Sequence, residues 1–113
     1  MARLFFCNPH YLLVNINMKR LEYFGKVMKV VTELTDVSEQ DILGKSRVQE
    51  IVDARWMVIY LMKEKGYTTQ QIVPLMCHPE RTINHAYNSF LDRVKYSFNG
   101  LGNTLAIAQQ QLL

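Results

Sequence analysis

From Met18 to Leu34 the apolar residues Leu21, Phe24, Val27, Met28, Val31 and Leu34 recur every three or four positions, with lysines and glutamates between them. That spacing matches the 3.6-residue turn and predicts an amphipathic helix. Ser38-Glu39-Gln40-Asp41 puts a capping hydroxyl three residues before an acid, which predicts a short helix stopping before Gly44, with Asp36 and Ser38 in the connector. Ser46 to Lys65 contains neither Gly nor Pro, and Val48, Ile51, Val52, Val58, Leu61 and Met62 keep helical spacing. The run Trp56 to Met62 is apolar throughout and in isolation also fits a buried strand. Its uninterrupted flanks and a length of about twenty residues favour a helix buried on several sides, ended by Gly66.

Thr68 or Thr69 can cap the next helix, which must be short because Pro74 lacks an amide donor and His78-Pro79 follows. His78 then stands where an N-cap would be, Pro79 at the first helical position, and Glu80 in the turn where the helix dipole favours an acid. The new helix carries the stripe Ile83, Ala86, Tyr87, Phe90 and Val94. Asn99, Gly100, Gly102 and Asn103 predict a turn, and Thr104 to Leu113 a last helix packing through Leu105, Ile107 and Leu112. With five glycines and three prolines, and long intervals free of both, the chain is expected to be all-α, a compact multi-helix fold containing a helix-turn-helix.

At 113 residues, 49% hydrophobic and 20% charged, the chain suits one core-burying domain. Residues 18–113 are expected to form it, with 1–17 as an N-terminal extension. That extension opens like a signal peptide, with Arg3 before apolar residues. Asn8, Pro9 and His10 then interrupt the run, and no small-residue cleavage site follows. No apolar stretch reaches the roughly 20 residues needed to span a bilayer, so no membrane partner is expected. The formal charge of +3 is compatible with a polyanion without requiring one. Its distribution says more: Met18 to Lys29 carries four bases against one acid, and Glu33 to Asp41 four acids and no base.

Cys7 and Cys77 can form one disulfide, but two thiols in so apolar a chain do not resemble a secreted disulfide scaffold, and a reducing cytoplasm is expected. Cys7, His10, Cys77 and His78 are four candidate zinc ligands. Adjacent Cys77 and His78 are awkwardly placed for one ion, and burial of Cys77 beside Met76 is the simpler account, so no metal or other cofactor is expected. The chain has no Gly-rich phosphate loop, no H-E-x-x-H pair and no nucleophile constellation, and the expectation is not an enzyme.

Residues 68–95 have the layout of a DNA-binding helix-turn-helix: two helices, a tight turn, and a second helix polar toward its start. At about 100° per residue, Arg81, His85 and Asn88 lie opposite Ile83 and Phe90, with His78 and Thr82 to one side. Arginine can bind guanine edges bidentately, asparagine can read adenine, and threonine can touch a thymine methyl or a phosphate. The same face also fits a merely solvated surface.

GKSRVQEIVDARWMVIYLMKEKG followed by TTQQIVPLMCHPERTINHAY resembles the C-terminal DNA-binding domain of the bacterial replication initiator DnaA over residues 35–95. That domain has a Trp-repressor-like helix-turn-helix. VSEQDILGKSR, residues 37–47, matches the family's capping segment and its serine-and-arginine motif. Arg55 and the run Trp56 to Met62 match the long helix. RTINHA, residues 81–86, keeps the second threonine, an aliphatic residue, the histidine and the alanine of the family's Thr-Thr-Val-x-His-Ala signature. The resemblance implies that Arg47 enters the minor groove, that Lys45 lies beside it near phosphates, and that Lys63 touches a phosphate. The family's Gly-Gly-Arg-Asp-His-Thr stretch is shortened here to Cys77, His78, Pro79, Glu80 and Arg81, which removes its base-reading acid and histidine.

The sequence therefore predicts a binder of double-stranded DNA acting in replication initiation or its control, or in transcription regulation. A freestanding domain without a nucleotide-binding motif suits a phage or mobile element. The alternative is a helical interaction module that has lost sequence-specific DNA binding.

Overall fold

The computed structural model describes residues 18–96 and 100–113. The N-terminal extension, with Cys7, His10 and any disulfide or metal site built on them, lies outside the described residues, as does Asn99. Six helices follow in order: α1 (Met18–Thr35), α2 (Glu39–Leu43), α3 (Gln49–Lys65), α4 (Thr69–Met76), α5 (Glu80–Tyr96) and α6 (Leu101–Gln111). No strand occurs among the described residues, so the fold is all-α.

The hydrophobic stripes explain the packing. α3 is the central element, touching each of the other five helices, and Met57 to Met62 are all buried. A helix apolar on every side can be stable only if it is surrounded. α1 seals one side of it with Val27, Met28 and Val31, and α5 another with Ile83, Ala86 and Phe90. The run from Trp56 that also fitted a strand is thus helical, although Trp56 itself is only half-buried.

Local signals set the boundaries. The Ser38 hydroxyl accepts from the Asp41 amide at 3.1 Å and starts α2. Gly66, at φ 114°, ends α3 in a left-handed conformation that disfavours a side chain. Of the two candidate threonines, Thr68 caps α4 in a complete capping box with Gln71, which frees Thr69 for another task. Pro74 lies inside α4 rather than ending it. In so short a helix it forfeits little hydrogen bonding.

Three expectations are corrected. α3 begins at Gln49, not Ser46, because residues 45–48 form an extended loop in which the Ser46 hydroxyl accepts from the Val48 amide at 3.2 Å. α5 begins at Glu80, because the Pro79 carbonyl accepts its first helical bond from Ile83, so His78 is not the N-cap. α6 begins at Leu101 after left-handed Gly100, so Gly102 and Asn103 are helical rather than part of a turn. It packs through Leu101, Leu105 and Ala108, leaving Ile107 exposed.

Candidate nucleic-acid interface

α4, the turn at Cys77, His78 and Pro79, and α5 form the helix-turn-helix. The turn is made tight by Cys77, which takes the left-handed conformation at φ 63° while its amide closes α4 on the Val73 carbonyl. Cys77 is half-buried rather than buried, whereas Met76 beside it is fully enclosed.

The angle between the helices is braced by a polar relay. Lys63 Nζ on α3 donates to Thr69 Oγ1 on α4 at 3.1 Å, and the Thr69 hydroxyl donates to Asn84 Oδ1 on α5 at 2.6 Å. The same ammonium lies 5.1 Å from the centre of the Tyr87 ring. Lys63, expected at a phosphate, is half-buried and gives one hydrogen bond to the scaffold. In the sequence Asn84 is marked for this contact only as a polar residue on the flank of the apolar stripe.

On the outer face of α5, Arg81, His85 and Asn88 are exposed, and Thr82 is half-buried beside them. His85 is oriented by its neighbours: the Trp56 ring meets it edge-on at 5.4 Å, and the Ser89 hydroxyl lies 3.5 Å from Nδ1. The acids Glu80 and Asp92 stand on either side of this stretch, both exposed.

The second exposed basic element is the loop before α3, which carries Lys45 and Arg47. Its side chains face solvent while its backbone is held from below by Arg55. Nε donates to the Ile42 carbonyl at 2.8 Å, Nη1 to Ser46 at 2.9 Å and Nη2 to Asp41 at 3.0 Å. The residue is 5% exposed. Burial lowers its pKa from the usual guanidinium value, and Asp41 opposes that shift. Gly44 fits here because a Cβ would come within 3.2 Å of the Gln40 carbonyl.

His78 departs from its expected place at the DNA face. The residue is 7% exposed, with its ring Nε2 donating to the Gly44 carbonyl at 3.0 Å. Burial lowers its pKa, as do the charges of Arg55 and Lys45, against the raising effect of the Gly44 bond. Such a histidine is neutral in the fold, whereas in the unfolded chain it takes up a proton near the ordinary pH of about 6.5. The unfolded state then binds more protons, so stability falls as pH drops through 6.5 toward the lowered folded-state value and then levels off. Thermal unfolding from pH 7.5 to 5 should show this loss in the wild-type protein, and His78→Gln should remove that component.

An ion pair between half-buried Arg93 and buried Asp53, Nε to Oδ1 at 2.8 Å, ties α5 to α3. Among the described residues no group of three or more His, Cys, Asp or Glu is arranged to hold a metal ion, and no helix is long and apolar enough to cross a membrane.

A short helix, a turn closed by a left-handed residue and a second helix with an exposed polar start define a helix-turn-helix protein of the DNA-binding class. More particularly, residues 24–88, over half the chain, match the family model of the bacterial DnaA protein helix-turn-helix, and the chain belongs to that family. The match starts within α1, earlier than the sequence resemblance at residue 35. No curated protein and no solved structure shows significant similarity to the chain.

Proposed function

We propose that the protein binds double-stranded DNA at two grooves, with the start of α5 in the major groove and the loop of Lys45 and Arg47 at the neighbouring minor groove. The observation that carries this reading is the pairing of two exposed polar and basic elements: Arg81, His85 and Asn88 on α5, and Lys45 and Arg47 on a loop whose Ser46 and Gly44 carbonyls are held by the buried side chains of Arg55 and His78. Arg81 reads a guanine edge, Thr82 and Asn88 make adjoining contacts, and His85, steadied by Trp56, donates to a base or phosphate. Arg47 enters the minor groove, where the potential is most negative. Such binding serves the control of replication initiation or of transcription.

Affinity for a random-sequence duplex pool should fall steeply as salt rises, because bound phosphates release counterions. Lys45→Ala should weaken every duplex alike and reduce the salt slope by about one. Absence of binding at low salt would overturn the proposal and leave the interaction-module reading. Sequencing the duplexes retained from the pool gives the preferred site.

A further inference from the structure

The His78 ring joins two parts of the molecule that are 34 residues apart in sequence: the turn leading into α5 and the loop of Lys45 and Arg47. Its backbone lies immediately before Pro79, whose carbonyl starts α5, and its Nε2 reaches the Gly44 carbonyl. Arg55 holds the flanking carbonyls of Asp41, Ile42 and Ser46, but from α3. The Gly44 bond is therefore the link that references the loop directly to the recognition helix. The 34-residue span and the ring's burial exclude a local turn contact of the kind that merely caps a helix.

We infer that His78 is a positioning residue that sets the register between the minor-groove loop and the recognition helix, without itself touching DNA. This deepens the two-groove reading above and rests on it. A loop fixed relative to α5 presents Arg47 at a set distance from Arg81, so both grooves are met without ordering the loop at the moment of binding. Preorganisation of this kind raises affinity by lowering the entropy lost on association. Without the ring's donor, the Gly44 carbonyl loses that partner and the loop keeps the Ser46 bond to Arg55 of α3.

The test uses the full chain with His78→Phe, which keeps a planar ring but no donor, and His78→Gln, whose amide can donate from about the same place. Backbone 15N relaxation in the absence of DNA should show residues 44–47 ordered in wild type, mobile in His78→Phe and ordered again in His78→Gln, with α3 amides unchanged. On duplexes recovered from the random pool, Arg47→Ala should weaken binding by about tenfold in the wild-type background and by less than about twofold in His78→Phe, because coupled residues are non-additive. Arg81→Ala should cost the same factor in both backgrounds.

Unchanged loop order in His78→Phe, or an equal cost of Arg47→Ala in both backgrounds, overturns the inference. If the wild-type protein binds no duplex, the two-groove reading falls, and the relaxation data alone decide whether His78 orders the loop. If His78→Phe does not fold, the rescue variant decides: His78→Gln with wild-type coupling upholds the register role, and His78→Gln with a mobile loop overturns it.

Discussion

Arg55→Ala is expected to destabilise the protein by about 3–4 kcal/mol, since it removes three charge-assisted hydrogen bonds and leaves the carbonyls of Asp41, Ile42 and Ser46 without that donor. For a domain of this size, a loss of that order lowers the melting temperature by roughly 10–20 °C. Arg55→Lys should recover only part of it, because an ammonium has no planar fork to reach carbonyls from both sides of the loop. Calorimetry of the three proteins checks the ranking. The cost should also appear locally: exchange of amide protons near Ile42 should accelerate more than exchange in the centre of α3. A change under about 1 kcal/mol would mean that water replaces the guanidinium at those carbonyls.

Arg81→Ala is the substitution with the largest expected effect on sequence reading. A bidentate arginine on guanine discriminates by about 1–3 kcal/mol, which corresponds to roughly 5- to 150-fold between preferred and altered sites. The loss should fall on the preferred duplex and leave random duplexes nearly unchanged, the reverse of the Lys45→Ala pattern. Competition binding with the selected site and single-base variants measures it, and equal weakening on all sequences would reassign Arg81 to phosphate. Arg81 is exposed one position after Glu80, and the turn before it is held by the His78 bond to Gly44 and the Cys77 amide bond to Val73.

The helices were legible because their causes are local. The stripes of α1 and α5 follow from periodicity, the start of α2 from the Ser38 hydroxyl, and the end of α3 from Gly66. The start of α3 was missed by three residues because its cause is only partly local: besides the Ser46 hydroxyl accepting from the Val48 amide, the Ser46 carbonyl is held by Arg55. Residues 45–48 contain no helix breaker, and the bond that holds them comes from an arginine nine residues from Ser46. Ile107 fits helical spacing when α6 is started at Thr104, but with the start at Leu101 the buried face runs through Leu105 and Ala108 and Ile107 falls outside it.

The interface was legible where exposure was the issue and obscure where partners were. Arg81, His85 and Asn88 could be placed opposite Ile83 and Phe90 by angle alone, and they are exposed. His78 and Lys63, equally polar on paper, turn inward to Gly44 and Thr69, residues that become neighbours only after folding. A single arginine heading the apolar run from Trp56 was the one visible sign of the buried brace.

Arg55 and His78 grip the segment after α2 by the backbone carbonyls of Ser46 and Gly44, and every residue type supplies a carbonyl. The frame is therefore indifferent to the side chains displayed at positions 45 and 47, both of which face outward. Gly44, where a Cβ would come within 3.2 Å of the Gln40 carbonyl, is the position in this stretch at which a side chain forces its neighbour to shift. Evolution, or a combinatorial library, can exchange those two residues while the scaffold beneath them stays as it is.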